Sequence, residues 1–412
     1  MHNSKIIKLS SILKKYNFLH YLLKKIYFRI SYILFADKQF KYEIINGLEE
    51  KLNFDKNTEY FFGYYHNTPW SYDDRFLLIN SILDKENINI NIIDTYNSKI
   101  VFTATTNLWN FQTGAMLGWM PNKHVIYYNK LIDGVHKTVL YDFLNKETSY
   151  FDFPIQCVHP NENHYLSINY SNLYEINRDY GYKNKCSKMS EYDNGVWKCY
   201  FDEGIKAELL ISEEDMKTIN NNYIESTKHE FNHCLFSNDG AYFIFIYRYL
   251  YKGIKYSKLI LSNYKSSKIK TINDLFVSHM CWIDSKSIFY FGDSIDGSKG
   301  YYIYNLLSDK TERVMCENLN DGHPSIDSKK KWIVLDSYPD KKHNCHLYIY
   351  NLKTKEVINI GRFKSDINLY GYNRCDLHPR WNNSGDKIMI DSSHLGKRNP
   401  VIINLRKIIH EK

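Results

Sequence analysis

Glycine and proline are scarce in this sequence, which has only 18 Gly and 8 Pro among 412 residues. Their scarcity excludes collagen-like chains, Gly/Ser-rich linkers and proline-rich low-complexity proteins. Long apolar runs are lacking as well. The longest uncharged stretches near the N-terminus, residues 16–23 and 30–36, are too short to cross a bilayer. Because no small-residue cleavage site follows an apolar core, we expect no secretory signal peptide.

The eight cysteines are spread along the chain without the short, regular spacings of a disulfide framework. Such usage favours a reducing compartment, although one or more cysteines could still bind a metal ion. We therefore expect a cytoplasmic protein, with peripheral attachment to the inner face of the cell membrane as a further option. The composition does not determine an oligomeric state.

Positive charge is concentrated at one end of the chain. Residues 1–35 contain six lysines and Arg29 but no Asp or Glu, so this segment carries +7 of the formal net charge of +8 and leaves +1 for the rest of the chain. Binding to nucleic acid requires a basic stripe on the folded domain. With a nearly neutral body, we expect no nucleic-acid partner.

Apolar residues in the basic segment recur mostly at steps of three and four, which predicts an amphipathic helix within residues 1–40. They are Ile6, Leu9, Leu13, Tyr16, Leu23, Ile26, Ile30 and Ile33. Two interpretations remain open for this helix. It could pack on the main domain or a partner with its basic face in solvent, or residues 1–35 could lie on an anionic membrane surface.

From residue 56 onward the helical period disappears, and short β-rich runs alternate with polar turns. Similar units of roughly 40–70 residues recur, as in "TPWSYDDRFLLI" with "INIIDTYNSKI" and "SIDSKKKWIVLDS" with "LYIYNLKTKEVIN". Seven such units predict an all-β fold, a seven-bladed β-propeller over residues 41–412 with the amphipathic α-helical extension before it. The aromatic content of 16% is then explained mainly by packing between blades.

Histidine recurs at the start of successive units, just before the first turn of each. The innermost strands of a propeller converge on a central channel, so these side chains should meet around one axis. One thiolate and three imidazoles suit a divalent ion in tetrahedral geometry, with Zn²⁺ favoured and Mn²⁺ or Ca²⁺ as alternatives. The predicted metal ligands are His279, His323, Cys375 and His378. Hydrogen-bonded structural histidines are the competing interpretation.

The segments that carry these residues resemble a known family. "NHCLFSNDGAYFIFIYR", "VSHMCW", "DGHPSIDSKKKWIVLDSYPD" and above all "RCDLHPRWNNSGDKIMIDSSHLGKR" are similar to the propeller polysaccharide lyases, namely oligogalacturonate lyases and ulvan lyases, and to relatives found among surface-polysaccharide genes. The resemblance covers residues 230–400 most clearly and extends more loosely from residue 56.

This resemblance implies β-elimination on a uronic-acid-containing glycan. The reaction needs a cation or hydrogen-bond donors at the uronate carboxylate, a base for the C5 proton and an acid for O4. The resemblance suggests His233 as the base and Tyr182, in "RDYGYKN", as the acid or second base. Arg178 and Arg248 are candidates for binding the carboxylate through two hydrogen bonds, and His66 is a further candidate at the mouth of the channel.

We therefore predict a polysaccharide lyase-like protein with an acidic polysaccharide or oligosaccharide partner, linked to bacterial surface polysaccharide metabolism such as capsule or exopolysaccharide. Whether the chain is an enzyme is left open. The alternative is a non-catalytic propeller that acts as a scaffold or carbohydrate-binding partner of glycan-assembly enzymes. A peptidase-associated propeller is less favoured, because no Ser/His/Asp nucleophile motif is present.

Overall fold

The computed structural model describes residues 17–45, 49–50, 52, 54–184, 186, 193–202, 204–219, 226–314 and 319–410. Seven antiparallel sheets, each the size of one repeat unit, succeed one another along the chain. This arrangement confirms the predicted seven-bladed β-propeller. Within these described residues, the α-helices are α1 (Asn17–Phe35), α2 (Tyr170–Ile176) and α3 (Arg406–His410), and short 3₁₀ turns span Asp215–Thr218 and Gly371–Asn373.

Strands β3 to β14 build the first three blades. Blade 1 holds β3 (Tyr60–Phe61), β4 (Phe76–Ile82), β5 (Ile88–Asp94) and β6 (Lys99–Thr106); blade 2 holds β7 (Gly118–Trp119), β8 (Val125–Ile132), β9 (Val135–Asp142) and β10 (Glu147–Asp152); blade 3 holds β11 (Ile155–Val158), β12 (His164–Ile168), β13 (Gly195–Tyr200) and β14 (Glu208–Ser212).

Strands β15 to β29 build the other four blades. Blade 4 holds β15 (Ser226–Phe236), β16 (Tyr242–Tyr251), β17 (Ile254–Asn263) and β18 (Ile269–Asn273); blade 5 holds β19 (Val277–Trp282), β20 (Ser287–Asp293), β21 (Lys299–Asn305) and β22 (Lys310–Arg313); blade 6 holds β23 (Ser325–Ile326), β24 (Trp332–Asp336), β25 (Asn344–Asn351) and β26 (Val357–Lys364); blade 7 holds β27 (Arg380–Trp381), β28 (Lys387–Ser392) and β29 (Asn399–Asn404).

The ring is closed by strands from near the N-terminus. Strand β2 (Glu49–Glu50) pairs with β29 and supplies the outer strand of blade 7, with Glu49 opposite Ile403. Strand β1 (Tyr42–Ile44) pairs with β26 and adds a fifth strand to blade 6. These pairings leave no blade with only three strands, and they bring the start of the propeller next to its end.

The core lies between neighbouring blades. The central strands are buried on both faces, as in β4, where Leu77, Leu78 and Ile79 are fully buried. Met389 and Ile402 of blade 7 belong to the same apolar cluster as Leu77 of blade 1, so the seam of the ring is packed like any other blade contact. Each blade therefore buries its faces only against its neighbours.

Helix α1 docks on blade 6 through one narrow face. The Phe28 ring lies 4.2 Å from the His343 ring and 4.9 Å from the Tyr370 ring, measured between centroids. Ser31 is buried, and its Oγ donates to the carbonyl of Lys341 at 3.1 Å. Among the described residues, no helix has the length and apolar character needed to span a membrane. Residues 1–16 of the predicted amphipathic helix lie outside the described residues.

Candidate functional site

The starts of blades 4 to 7 bring four histidines to the channel axis, where they surround Tyr65 of blade 1. The ring centroid of Tyr65 lies 5.1 Å from that of His323, 5.9 Å from those of His279 and His378, and 6.3 Å from that of His233. All four histidines are almost fully buried. The predicted convergence of residues distant in sequence is therefore present in the structure, and Tyr65 fills the channel on one side of the histidines.

Two of these histidines and a neighbouring aspartate form a group with the dimensions of a metal site. His323, Asp376 and His378 each present one ligand atom, and the three atoms lie within 4.8 Å of one another. We refer to these residues as the channel cluster. The His279 ring lies 4.2 Å from the His323 ring, beside the cluster.

Carboxylates orient two of the imidazoles. Nδ1 of His323 lies 3.0 Å from both carboxylate oxygens of Asp336, and Nδ1 of His279 lies 3.0 Å from Oδ1 of Asp321. Since a carboxylate accepts, each Nδ1 donates its proton, and in the neutral ring the lone pair lies on Nε2. Nε2 of His323 is buried without a hydrogen-bond partner among the described residues. A carboxylate behind a histidine is the usual second layer of a metal site.

Electrostatics distinguish the histidines of the channel cluster. Burial is the largest single influence on the pKa of His323 and disfavours its charged form. The charge and hydrogen bond of Asp336, together with the charges of Asp376 and Asp321, outweigh burial and raise this pKa. Burial and the charges of His323 and Arg380 lower the pKa of His378 well below its usual range. His378 is thus neutral at physiological pH and has a lone pair to offer to a cation.

Backbone strain occurs at two of the histidines. His233 has φ = 55° and His378 has φ = 45°, so both occupy the left-handed region that non-glycine residues rarely adopt. The amide of His378 donates to Asp336 Oδ2 at 3.0 Å, which holds this conformation in place. Strain of this kind concentrates at functional sites, where surrounding contacts fix the direction of a side chain.

A hydrogen-bond relay fixes the protonation of His233. Nε2 of His66 donates to the carbonyl of Met280 at 2.7 Å, so Nδ1 of His66 accepts from the Tyr64 hydroxyl at 3.0 Å. The Tyr64 oxygen is then left to accept from Nδ1 of His233 at 3.3 Å. Nε2 of His233 has no partner among the described residues and carries a lone pair. The relay therefore gives His233 the tautomer of a general base.

Burial also keeps His233 and His66 neutral. It lowers the pKa of His233 well below its usual range, with smaller contributions from Arg248 and neighbouring histidines. Burial lowers the pKa of His66 to about 3. The imidazole of His233 is thus in the unprotonated form that a general base requires, while the same burial weakens its basicity.

Two predicted residues lie elsewhere. Cys375 is buried, and its thiol does not belong to the channel cluster; the carboxylate of the next residue, Asp376, takes that place. With Asp376 in place of a thiolate, the preference for Zn²⁺ loses its basis, because two imidazoles and a carboxylate suit Mn²⁺ equally well. Tyr182 is fully buried, stacked on Tyr170 at 4.4 Å, and accepts from Asn129 Nδ2 at 2.8 Å. It lies in the core between blades 2 and 3, with the His136 ring 5.8 Å from its own, and is not among the rings around the four channel histidines.

Tyr180 lies next to His233, where the candidate acid, predicted to be Tyr182, was expected. Its ring lies 4.9 Å from the ring of His233, edge to face. Burial raises the pKa of Tyr180 to about 12, so the phenol stays protonated. Nothing in the motif distinguishes the two tyrosines two positions apart, since both follow the turn after α2.

The two predicted arginines are also separated by the structure. Arg248 donates from Nη1 to Glu230 at 2.8 Å, and Glu230 is fully buried. This ion pair stabilises blade 4 and occupies one edge of the guanidinium. Arg178 is exposed, with its guanidinium carbon 5.6 Å from the ring centroid of Tyr174 and 6.0 Å from that of Tyr372. Of these two arginines, Arg178 is the one whose guanidinium is open to solvent.

Sequence reasoning missed the carboxylates, although a signal for two of them exists. The strings D-G-H (321–323) and D-L-H (376–378) place an aspartate two residues before a histidine at the starts of two consecutive blades. Gly322 is required in the first string, because a Cβ at this position would lie 1.9 Å from the carbonyl oxygen of Asp336. The repeated D-x-H pattern thus marks both Asp321 and Asp376.

A cleft reaches the site from the rim of blades 5 and 6. A cavity of about 620 Å³ is lined by Asp321, Tyr338, Lys299 and Arg313, together with apolar side chains. Ligand sites commonly have this size. The ring of Tyr338 lies 6.2 Å from the ring of His279. The cleft thus connects two exposed cations with the carboxylate that orients His279.

A second group of potential metal ligands lies in blade 3, around the turn between β11 and β12, at the end of the propeller opposite the channel cluster. His159, Glu162 and His164 also bring ligand atoms within 4.8 Å of one another, and we call them the rim cluster. Nδ1 of His159 accepts from the amides of Asn161 and Glu162, at 3.2 and 2.9 Å, and its Nε2 lies 3.3 Å from the carbonyl of Gly240. Both nitrogens of His159 are therefore occupied, unlike those of His378.

Two solved structures share the fold over most of the chain. An oligogalacturonate lyase from Vibrio parahaemolyticus has a TM-score of 0.62 at 13% identity and covers 88% of this chain and 96% of its own. An oligogalacturonate lyase in complex with manganese has a TM-score of 0.66 at 12% identity and covers 92% of this chain and 100% of its own. At these identities the similarity establishes a shared propeller fold.

Other propellers are more distant, among them TolB from Acinetobacter baumannii, with a TM-score of 0.44 at 11% identity, covering 82% of this chain and 80% of its own. No protein-family model matches the sequence. No curated protein matches it either.

Proposed function

We propose that the chain is a lyase-like propeller that acts by metal-assisted β-elimination on a uronic-acid-containing glycan of a bacterial surface polysaccharide. The observation that carries this proposal is the neutral, unengaged Nε2 of His233, whose ring lies 6.2 Å from that of His279, the histidine beside the channel cluster. The propeller shared with oligogalacturonate lyases supports it. One of those lyases was solved in complex with manganese. That complex supports the proposal that the channel cluster binds a divalent ion.

The channel cluster fits a divalent cation. His323 offers a buried nitrogen without a hydrogen-bond partner among the described residues, His378 is neutral, and Asp376 supplies a negative oxygen. These three residues, with His279 beside them, would hold Mn²⁺ or Zn²⁺. Such an ion, when bound, supplies positive charge opposite the uronate carboxylate and makes the C5 proton more acidic.

The side chains of the site supply the proton transfers. The C5–H bond breaks, and its proton passes to Nε2 of His233, whose Nδ1 proton stays on the hydrogen bond to Tyr64. The C4–O4 bond breaks as the C4–C5 double bond forms, and O4 takes a proton from the protonated phenol of Tyr180. Lys299 and Arg313 in the cleft provide positive charge complementary to the neighbouring uronates of the glycan.

The test is to incubate the Mn²⁺-loaded protein with a panel of polyuronates and follow the ultraviolet absorbance of the unsaturated product. We expect His233→Ala to lower the rate by about 10²–10⁴-fold, the usual contribution of a general base. Tyr64→Phe should lower it less and shift the pH profile, because His233 loses the acceptor that fixes its tautomer. His159→Ala, in the rim cluster, is the matched control and should leave the rate unchanged.

Full activity of His233→Ala, or the absence of product from every acidic glycan, would contradict a lyase. A second function, a non-catalytic carbohydrate-binding or scaffold propeller, is favoured by the burial of His233, which is 0% exposed. In that case the metal is a structural clip. Chelation would then lower the melting temperature, while His233→Ala and Tyr180→Phe would leave the biological role intact.

A further inference from the structure

Helix α1 has a second apolar face that the propeller leaves uncovered. The docked face consists of Phe28, Ser31 and Tyr32, which are buried or half-buried against blade 6. On the other sides of the helix, large apolar side chains are 40–67% exposed. These side chains, which we call the outer face, are Leu22, Leu23, Ile26, Tyr27, Ile30, Ile33 and Leu34.

Helical spacing explains the two faces. At 3.6 residues per turn, Ile26, Ile30 and Ile33 lie nearly opposite the docked pair Phe28 and Ser31. Soluble domains rarely leave a contiguous apolar strip of this length in water. The helix is therefore not a simple amphipathic helix with a solvated polar side, because it is apolar both toward blade 6 and away from it.

Charge indicates what covers the outer face. Lys25 and Arg29 are exposed at its edge, and residues 1–35 carry seven basic residues and no acidic ones. A second copy of this chain would bring the same positive charge to the contact and repel it. An anionic lipid surface instead attracts each basic residue by about 1 kcal/mol and accepts apolar side chains between its headgroups.

The helix lies at the end of the propeller where the histidine site opens. The loop between β24 and β25 carries Tyr338, whose ring is 5.8 Å from that of His323, and Lys341, whose carbonyl accepts from Ser31 of α1. Loops of the two flanking blades at this same end expose Ile295 at 99% and Leu395 at 52%. Apolar side chains thus project from this end on both sides of blade 6.

We propose that the outer face of α1 binds the surface of an anionic membrane, and that the mouth of the histidine site consequently faces the lipid headgroups. The inference is independent of the proposed lyase activity, because it rests on α1 and the neighbouring loops alone. It also unites the two interpretations of the sequence, since one face of the same helix packs on the main domain and the other meets the membrane.

Co-sedimentation of the full chain with lipid vesicles tests the proposal. We expect the protein to pellet with vesicles that contain phosphatidylglycerol, to remain in the supernatant with pure phosphatidylcholine, and to be released as salt rises, because salt screens the lysines. Ile30→Glu/Leu34→Glu should weaken vesicle binding at least tenfold. The matched control is Leu144→Glu/Leu307→Glu, which places the same charges on exposed leucines of hairpin turns at the opposite end, and should bind as the unaltered protein does.

Three results would overturn the proposal: no binding to anionic vesicles, equal loss in the control variant, or vesicle binding unchanged in Ile30→Glu/Leu34→Glu while its mass in solution falls from dimer to monomer. The last result would assign the outer face to a second copy. Both variants change only exposed residues, and equal melting temperatures would verify that they fold. Lyase assays on soluble oligosaccharides would not be affected by either variant.

Discussion

The channel cluster and the rim cluster contain the same kinds of residue, two histidines and one carboxylate within 4.8 Å, but they differ in what their nitrogens already bind. In the channel, Asp336 takes the Nδ1 proton of His323 and leaves Nε2 unengaged. At the rim, backbone groups occupy both nitrogens of His159. Each cluster also has one histidine with an unengaged Nε2, His323 in the channel and His164 at the rim. Composition, proximity and one unoccupied lone pair therefore do not identify a metal site, and the clusters differ in whether the second histidine is already engaged.

The largest difference between the clusters should appear on removal of one histidine. We expect His323→Ala to weaken Mn²⁺ binding at least 100-fold, because it leaves the channel cluster with one imidazole and one carboxylate. His164→Ala removes the corresponding histidine of the rim cluster and should change the affinity less than twofold, because the second rim histidine, His159, is already engaged at both nitrogens. Isothermal titration calorimetry of both variants measures this, and equal losses would remove the distinction.

The carboxylates that orient the histidines should have a smaller effect on metal affinity, and they test the same contrast between the two clusters. Asp336→Asn keeps the shape of the side chain but weakens the hydrogen bond that orients His323, and losses of this kind cost 10–100-fold in metal affinity. Glu162→Gln at the rim is its counterpart, because the Glu162 carboxylate lies 3.4 Å from Nδ1 of His164, and it should have no effect on metal affinity. Because Asp336 also accepts from the amide of His378, thermal unfolding must accompany the titration. An unaltered affinity in Asp336→Asn would show that this carboxylate does not orient a ligand.

The smallest expected effect is on the pH dependence of stability at the rim. Burial lowers the pKa of His164 to about 3, whereas the unfolded chain binds a proton near pH 6.5. The stabilising contribution is therefore complete above pH 6.5 and is lost as the pH falls toward 3, by up to about 1.4 kcal/mol per pH unit. His164→Gln should flatten the urea-unfolding profile by this amount. Parallel profiles for the variant and the unaltered protein would contradict the assignment.

The fold and the meeting of the histidines could be predicted from sequence because both follow from repetition. Equivalent positions in successive blades must converge on the axis, whatever the identity between blades. Side-chain direction could not be predicted, as Cys375 and Tyr182 demonstrate: in an irregular loop, a shift of one or two residues exchanges a thiol for Asp376 or a core tyrosine for Tyr180. Strands β1 and β2 were also missed, because two or three residues are too short to display a period.

The pairing of β2 with β29 has a consequence for how the protein is made. Asn404 Nδ2 donates to Glu50 Oε1 at 2.8 Å across 354 residues of chain. At about 5–20 residues per second of synthesis, Glu50 leaves the ribosome roughly 20–70 s before its partner exists. Strand β2, the outer strand of blade 7, therefore has no partner until the last blade has been translated, and only then can blade 7 be completed. A nascent chain of this protein should be most exposed to chaperones and proteases during that interval. Its release from chaperones should coincide with closure of the ring.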